Sequence, residues 1–268
     1  MGMGPFHRRR MTRAPALFIG HGSPMNAIED SDFARGWAAI TKRFPKPRAI
    51  VVVSAHWVTE GVRVTANERP RTIHDFGRSF PQALFDVQYP APGDPDLARD
   101  ITRRLSPYAA QLDGSWGLDH GTWSILVHMY PEADIPVLQV SLDARRTPEQ
   151  HYEIGRALVS LRDENILVLA SGNIVHNLRA FFTNDQSGQT AAQAFETYID
   201  DAVLKSDHTA VVNYKQHPAA GEAAPDWDHF TPVIYGLAFH RDGEQPELFN
   251  RHVSTGISMT SIAYGLTV

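Results

Sequence analysis

Five of the thirteen histidines stand where a predicted strand or helix begins or ends. They are His21, His56, His120, His176 and His229. Open α/β sheets bind ligands where the carboxyl ends of their strands and the following loops converge, so we expect these side chains to meet. Imidazoles gathered without thiolates or carboxylates suit a divalent transition metal. The pattern therefore predicts a metal centre.

The first of these histidines lies between two glycines, Gly20 and Gly22, directly after a short apolar run. Glycine permits a sharp turn and a close approach of the backbone to a bound group. An ordinary strand-to-loop turn explains the two glycines equally well. The segment GHGSP lacks the lysine and the glycine spacing of a Walker phosphate loop, which makes phosphate binding the weaker interpretation.

The other histidines have a weaker claim to chemistry. His74, in TIHDFG, is a loop histidine that could touch a substrate. The rest are expected to be solvated or satisfied in the core: His7, His128, His151, His208, His217, His240 and His252.

Apolar runs and helical spacing indicate the elements that must position the five histidines. Continuous apolar character, typical of strands buried on both faces, marks ALFIG (16–20), AIVVVSA (49–55), PVLQVSL (136–142) and ILVLAS (166–171). Helical spacing marks DSDFARGWAAITKRF (30–44), DPDLARDITRRLS (94–106), TPEQHYEIGRALVSLR (147–162) and QTAAQAFETYIDDAVLK (189–205). This alternation predicts a single α/β domain with a mixed, mainly parallel central sheet flanked by helices on both faces.

Several boundaries can be predicted more closely. Thr147, Pro148 and Gln150 form the signature of a capped helix start. Asp119 and Asp228 are expected to open the helices that follow them. The segments VRVTA (62–66) and GISMTSIAYGL (256–266) read as antiparallel or peripheral strands, the second at or near an edge. Residues 78–96 read as a long loop beside the site, with a role as a lid as a conjecture.

Composition bounds the class of protein. A chain of 268 residues with 43% apolar and 21% charged residues fits one large globular domain, predicted over 15–268 after a flexible basic tail at 1–14. The net charge of −5 gives no basic field for nucleic acid or an anionic membrane. We therefore expect small-molecule partners; the oligomeric state cannot be read from the sequence.

The absence of cysteine restricts the chemistry further. It excludes disulfides, thiolate metal sites, iron–sulfur clusters and cysteine nucleophiles, so any metal must use nitrogen or oxygen ligands. The apolar stretches are too short for a signal-peptide core or a membrane span, and we expect a cytoplasmic protein.

Six segments together resemble a known family: GHGSPMNAIED (20–30), VVVSAHW (51–57), HDFGRSFPQALFDVQYPAPGDP (74–95), GLDHGTWSILVHMYPEADIPVLQVSL (117–142), ASGNIVHNL (170–178) and DHFTPVIYGLA (228–238). The chain is similar to the class III extradiol ring-cleavage dioxygenases, specifically the DODA-type, 4,5-DOPA dioxygenase-like branch. The resemblance runs from about residue 16 to the end of the chain.

The resemblance implies a mononuclear non-haem Fe(II) enzyme that uses O₂ to open a catechol next to its hydroxyls, giving a muconic semialdehyde. His21 and His56 match the family's two metal histidines, and His229 matches the third ligand, a position where the larger family commonly has glutamate. Three neutral imidazoles also suit Zn²⁺, a second candidate occupant. His176 matches the active-site base or could complete a fourth coordination position. His120 matches a second histidine beside the substrate.

Three alternatives stay open from the residues alone. A tetrapyrrole metal chelatase shares the GHGS opening but needs far less chain. A zinc hydrolase would need a carboxylate base, for which Glu29 and Glu60 are the candidates. A non-catalytic metal-binding scaffold could keep the fold without the chemistry. The identity of the catechol is open too: a carboxylate partner would be sought among Arg69, Arg71 and Arg78.

Overall fold

The structure is a computed structural model and describes residues 13–183 and 185–266. The predicted tail at 1–14 falls almost entirely outside these residues and stays a prediction. At its end, Ala14 is buried, and its backbone N–H donates to the carbonyl oxygen of Arg162 at 2.9 Å.

The described residues form strands, α-helices and short 3₁₀ segments in alternation. The strands are β1 (Ala16–Gly20), β2 (Ala49–Thr59), β3 (Arg63–Thr65), β4 (Gln111–Asp113), β5 (Val137–Asp143), β6 (Ile166–Gly172), β7 (Glu247–Phe249), β8 (Val253–Ser254), β9 (Ile257–Ser258) and β10 (Ser261–Tyr264). The α-helices are α1 (Asp32–Ile40), α2 (Gln82–Phe85), α3 (Pro95–Arg104), α4 (His120–Met129), α5 (Pro148–Leu158), α6 (Leu178–Thr183), α7 (Gln186–Leu204), α8 (His208–Val212), α9 (Ala220–Ala223) and α10 (Trp227–Ala238). The 3₁₀ segments are Pro24–Ala27, Thr41–Arg43, Ser106–Tyr108, Val159–Glu164 and Tyr214–Gln216.

Eight of the strands form one sheet in the order β4-β3-β5-β2-β6-β1-β10-β7. The four central strands β5, β2, β6 and β1 are parallel, whereas β10 runs antiparallel to β1 and β7, and β3 antiparallel to β5. The predicted mixed, mainly parallel sheet is confirmed. The C-terminal strand β10 lies one place inside the edge, because the short β7 covers it.

The sheet is buried on both faces, which explains the continuous apolar runs of its central strands. Val51 and Val53 point into one core with α3, α5, α7 and α10. Ile50 and Val52 point into the other, with α1 and α4. The predicted helices on both faces are therefore confirmed.

Helix starts follow the local signals in one case and depart from them in another. At α5, Thr147 and Gln150 form the predicted capping box. At α10 the capping residue is Asp226 rather than Asp228, so His229 lies in the first turn of the helix instead of opening it. The predicted loop at 78–96 contains the short helix α2 and ends in α3. Among the described residues, no helix combines the length and apolarity that crossing a bilayer requires.

Candidate metal centre

Two of the five histidines come from parallel strands. His21 directly follows β1. His56 was expected just beyond the second strand but lies inside β2, which runs on to Thr59. The register between β2 and β5 shifts between Val53 and Val58, so the strand is irregular around His56. Such bulges re-aim a side chain next to an active site.

The other three histidines arrive from loops and helix starts at the same edge. His120 is the first residue of α4, and His229 lies in the first turn of α10. His176 follows β6 through a short loop, where its backbone N–H donates to the carbonyl oxygen of Ala223 at 2.9 Å. The carboxyl edge of the central strands thus receives all five side chains.

The five imidazoles form one contiguous cluster. The ring centre of His56 lies 5.0 Å from that of His21, 3.8 Å from that of His120 and 4.9 Å from that of His229. The rings of His176 and His229 stack at 3.6 Å with planes only 6° apart. Ring nitrogens of His21, His56 and His120 all lie within 4.8 Å of one another. The structure therefore brings together the five residues that the sequence singled out.

Two glycines make this gathering sterically feasible. A Cβ on Gly121 would lie 2.6 Å from the Ser54 hydroxyl oxygen and 2.9 Å from Cδ2 of His56, so the start of α4 approaches β2 closely only without a side chain there. Gly22 has φ of +61°, a left-handed conformation, and a Cβ there would collide with the sulfur of Met259. The DHG and GHG segments are thus explained by close packing around the imidazoles.

The protonated nitrogen of His21 follows from its neighbours. The Ser171 hydroxyl donates its proton to the carbonyl oxygen of Gly121 at 2.5 Å. It therefore accepts from Nδ1 of His21, which lies 2.8 Å away. With its proton on Nδ1, His21 presents a lone pair on Nε2.

Carboxylates favour a proton on Nδ1 in two other rings, those of His56 and His229. Nδ1 of His56 lies 3.3 Å from Oδ2 of Asp75, and Nδ1 of His229 lies 3.1 Å from Oδ1 of Asp228. The ionised carboxylate of Asp228 only accepts, so Nδ1 of His229 carries a proton, and the negative charge of Asp75 favours the proton of His56 on Nδ1. In their neutral form both rings then carry the lone pair on Nε2. Nε2 of His56 faces Nε2 of His21 at 3.1 Å. Two facing lone pairs repel unless a cation joins them.

The donor set fits a divalent metal ion. Metal–nitrogen bonds of about 2.0–2.1 Å at a tetrahedral angle place two ligand nitrogens about 3.3 Å apart. The 3.1 Å between the two Nε2 atoms is close to that separation. Acceptors behind the Nδ1 atoms are the usual arrangement for metal-binding histidines.

Burial and mutual repulsion keep the imidazoles of His21, His56 and His176 neutral. The pKa values of His21 and His56 lie well below the ordinary value, first because both rings are buried and then because neighbouring imidazoles, His229 and His120 foremost, disfavour a positive charge. Burial, then His229, lowers the pKa of His176 to about 3. At neutral pH these rings therefore offer lone pairs to a cation or a proton donor.

Asp119 plays a different part from the predicted helix cap. Its side chain makes no capping bond to α4. It accepts instead from the Ser54 hydroxyl at 2.7 Å and from the side-chain amide of Gln139 at 2.6 Å. Burial, then the nearby charge of Asp75, raises the pKa of Asp119 to about 6. The residue ties the start of α4 to strands β2 and β5.

His74 lies one aromatic ring away from the cluster. Its Nε2 lies 3.0 Å from the carbonyl oxygen of Val87, and its ring contacts Phe76, which in turn contacts His120 at 5.6 Å. Its predicted substrate contact stays a prediction.

The remaining described histidines have partners elsewhere. His128 bonds to the carbonyl oxygen of Asn26 at 2.7 Å, His151 to the Tyr235 hydroxyl at 3.1 Å, and His208 to His240 at 3.0 Å.

The sequence reasoning missed the residues that hold the imidazoles from behind. Asp75, which faces His56 and His120, was not considered, and Asp228 was considered only as a helix cap. Asp228 is adjacent in sequence to the histidine that it holds, at DH (228–229). That adjacency is the signal that could have pointed to it, since metal-binding imidazoles need acceptors behind them.

The charged residues considered for the alternatives lie in solvent. Glu29 and Glu60 are exposed, so neither joins the buried histidines as a hydrolytic base. Arg69, Arg71 and Arg78 are exposed too. The carboxylates that do approach the imidazoles act as acceptors behind their Nδ1 atoms, which weakens the hydrolase alternative.

The fold and the histidine centre define a ring-opening dioxygenase. The chain belongs to the family described as the catalytic LigB subunit of aromatic ring-opening dioxygenase, whose model matches residues 15–266. The predicted resemblance is confirmed, and because the match spans nearly the whole chain, the chelatase alternative is set aside.

Individual proteins of similar sequence or structure show how similar the chain is to them. The chain is 47% identical over 240 residues to the 4,5-DOPA dioxygenase extradiol of Escherichia coli (strain K12), covering 88% of each chain. It is 35% identical over 250 residues to the 4,5-DOPA dioxygenase extradiol of Beta vulgaris, covering 90% of this chain and 92% of that one. A crystal structure of an uncharacterized Escherichia coli K12 protein matches with a TM-score of 0.81 and 39% identity, over 94% of this chain and 100% of that chain.

Proposed function

We propose that the protein is an extradiol dioxygenase that opens the ring of a DOPA-like catechol with O₂, next to the two hydroxyls, to give a muconic semialdehyde. The observation that carries the proposal is the convergence of imidazoles at one place, with acceptors behind Nδ1 of His21 and His229 and with Nε2 of His21 facing Nε2 of His56. The relatives named as 4,5-DOPA dioxygenases support the same reaction.

In this proposal His21, His56 and His229 hold the metal through Nε2. Fe(II) is the ion for activity, and Zn²⁺ is a second occupant of the same site. When bound, Fe(II) supplies a template for the two vicinal catechol oxygens and a path for electrons from the catechol to O₂.

The choice of the third ligand, between His120 and His229, depends on whether Nδ1 of the ring makes a hydrogen bond. His120 is nearer to His56 than His229 is, and its ring nitrogen falls within the closest group of three. Nδ1 of His229, however, makes a hydrogen bond to Asp228, whereas Nδ1 of His120 lies 3.1 Å from Oδ2 of Asp75 and reaches hydrogen-bond geometry with none of the described residues. We therefore give His229 the metal and leave His120 to hydrogen-bond a reacting oxygen.

The stacking of His176 on His229 bears on the role of His176. The lone pair of an imidazole nitrogen lies in the plane of its ring. Because the two rings stack at 3.6 Å with planes only 6° apart, their lone pairs lie in nearly parallel planes and cannot converge on one point. With His229 as ligand, His176 is left as the base that takes a proton from a catechol hydroxyl.

The environment of His176 suits that transfer. Its lowered pKa means that the ring is neutral before substrate arrives. A proton accepted from the catechol would sit beside the catecholate, whose negative charge offsets the repulsion from neighbouring imidazoles. The ring of Phe76, 5.6 Å from that of His120, supplies an apolar neighbour for an aromatic substrate.

The first experiment reconstitutes metal-free protein with Fe(II) under anaerobic conditions, then admits air with L-DOPA and a panel of other catechols. Oxygen uptake in equal amount to a yellow semialdehyde product, absent with Zn²⁺, is the expected result. No uptake with any catechol by protein that binds Fe(II) would overturn the proposed reaction.

Three variants test the division of roles. His176→Ala should keep its Fe(II) and lose turnover, whereas His229→Ala should lose Fe(II). His120→Ala should keep Fe(II), and loss of the ion from this variant would move the third ligand position to His120. His252→Ala, at an exposed histidine, is the control and should change neither property.

The catechol itself and the compartment stay predictions. The exposed Arg69, Arg71 and Arg78 do not define a carboxylate site near the imidazoles. The substrate panel therefore ranks L-DOPA against catechols that lack the amine, the carboxylate or both. The cytoplasmic location expected from the sequence stays untested.

A further inference from the structure

One carboxylate faces two imidazoles of the cluster. Oδ2 of Asp75 lies 3.3 Å from Nδ1 of His56 and 3.1 Å from Nδ1 of His120. The two rings that share this oxygen are 3.8 Å apart between centres. Asp75 belongs to the loop after β3, far along the chain from both histidines. No other described carboxylate stands in this relation to two members of the cluster.

The second oxygen of Asp75 anchors the carboxylate to the backbone. Oδ1 accepts the backbone N–H of His120 at 2.8 Å. This N–H is one of the first in α4, where helical donors have no partner within the helix. The side chain of Asp119, at the capping position, is committed to Ser54 and Gln139. Asp75 therefore caps the helix from a distant loop, and the bond fixes the direction of its other oxygen.

The anchored oxygen favours one tautomer in both rings. Its negative charge lies 3.3 Å from Nδ1 of His56 and 3.1 Å from Nδ1 of His120, and although Nδ1 of His120 does not reach hydrogen-bond geometry, a proton on Nδ1 is attracted by this charge. The carboxylate therefore favours Nδ1 over Nε2 as the protonated nitrogen of both His56 and His120. Their Nε2 lone pairs then point away from Asp75, and that of His56 points at Nε2 of His21, 3.1 Å away.

We propose that Asp75 is a positioning residue that sets the tautomer and direction of His56 and His120 together, and thereby strengthens binding of a divalent cation at the histidine cluster. The proposal rests on the metal centre of the proposed function, but not on the ring-opening reaction. It gives Asp75 a role through the two imidazoles that its carboxylate faces.

The tautomers are tested directly on the metal-free protein. Nitrogen-15 NMR of the imidazoles, assigned with single histidine variants, should show Nδ1 protonated and Nε2 unprotonated in both His56 and His120 of the wild type. In Asp75→Ala, the signals of these two rings should move towards a mixture of tautomers, while those of His21 stay. Wild-type rings protonated on Nε2, or rings unaffected by the substitution, would overturn the proposal.

The metal affinity is measured by competition between the protein and a chelator for Zn²⁺ alone, without substrate. Removing an acceptor behind a ligand typically lowers metal affinity about 10–100-fold, and we expect Asp75→Ala to fall in that range. Asp75→Asn keeps an acceptor oxygen in the same place and should recover part of the lost affinity. Asp86→Ala is the matched control, because this exposed carboxylate, directly after α2, accepts from the side-chain amide of Gln82 at 2.9 Å and faces none of the five histidines.

The outcomes separate the two proposals. If Asp75 only caps α4, Asp75→Ala lowers the unfolding midpoint but leaves the Zn²⁺ affinity within twofold of the wild type, and the proposal fails. If the wild type binds no divalent ion, the proposed metal centre fails, and with it the effect on affinity that we infer for Asp75. If Asp75→Ala does not fold, the tautomers of the wild type and the Zn²⁺ affinity of Asp75→Asn still test the proposal.

Discussion

Buried nitrogen groups are paired differently at the two ends of the central strands, which form the amino and the carboxyl edge of the sheet. At the amino edge the guanidinium of Arg162 is fully buried, and its donors are taken by Glu244 at 2.6 and 2.8 Å and by the carbonyl oxygens of Ala14 and Phe239 at 3.0 and 2.7 Å. At the carboxyl edge the Nε2 atoms of His21 and His56 face each other at 3.1 Å.

The difference separates a structural site from a functional one. Polar groups that are completely paired inside the protein add order, and they have no capacity left for a ligand. Three of the imidazoles, His21, His56 and His229, face Ser171, Asp75 and Asp228 with Nδ1. The Nε2 atoms of His21 and His56 face each other instead, an arrangement that fits the metal ion proposed above.

The largest effect is expected at the carboxyl edge. His56→Ala removes one of the two facing nitrogens, so it should weaken Zn²⁺ binding more than the roughly 100-fold that changes behind the ligands produce, and abolish ring opening. Zn²⁺ at about 100 times its dissociation constant should stabilise the wild type by about 2.7 kcal/mol and leave this variant unchanged. Chemical denaturation with and without Zn²⁺ measures the unfolding free energies of the wild type and the variant. If Zn²⁺ stabilises the variant as much as the wild type, the carboxyl edge does not differ from the amino edge in the way proposed.

The opposite response is expected at the amino edge. Arg162→Met leaves Glu244, whose side chain is only 12% exposed, without its partner. Breaking a buried pair in this way costs about 3–5 kcal/mol of unfolding free energy. Zn²⁺ affinity of the folded variant should equal that of the wild type. The double variant Arg162→Met with Glu244→Gln is the control and should lose less stability than the single variant.

A third buried polar group, the carboxyl group of Glu196, extends the comparison because its effect on stability depends on pH. Burial raises the pKa of Glu196, on α7, from 4.5 to about 7, and its Oε1 accepts from the Ser258 hydroxyl at 2.8 Å. Because the folded pKa lies above the unfolded one, the native state holds the proton more tightly, and stability is lost as pH rises from about 4.5 to about 7.

Glu196→Gln should therefore be more stable than the wild type at pH 8, by about 3 kcal/mol, with the advantage shrinking towards pH 4. Urea denaturation at several pH values measures the difference. The Zn²⁺ affinity at pH 8 serves as the control and should not change. A constant difference at all pH values would show that Glu196 does not titrate with folding.

The smallest effect is expected for a pair in water. Asp201, on α7, and Lys205, directly after the helix, lie 3.4 Å apart with side chains 61% and 73% exposed. Exposed pairs of this spacing contribute little, so Lys205→Ala should change the unfolding free energy by no more than about 0.5 kcal/mol. A loss as large as that of Arg162→Met would show that burial is not what separates the two kinds of site.

Much of the fold could be predicted because its signals are local. The apolar runs of β1, β5 and β6 match the observed strands within one residue at each end, since strands buried on both faces need continuous apolar sequence. The capping box at Thr147 and Gln150 was predicted for the same reason, because its partners are three residues apart. The extension of β2 to Thr59 was missed, since it depends on pairing with β5 across an irregular register.

In the candidate site, too, the features with a local signal could be predicted and those that depend on distant segments could not. Five histidines at element boundaries were predicted to meet, because the topology of an α/β sheet brings strand ends together. Their tautomers could not be predicted, since each depends on an acceptor that lies elsewhere in the chain, such as Ser171 behind His21.

The sequence by itself determined the type of sheet, the family and the histidines that gather at one edge, because periodicity, turn residues and motif order are properties of neighbouring residues. Only the tertiary structure decided which nitrogen of each ring carries the proton, that His176 stacks on His229, and that Asp75 reaches both His56 and His120. These depend on distances of about 3 Å between segments far apart in the chain, and such distances are set only when the helices pack on the sheet.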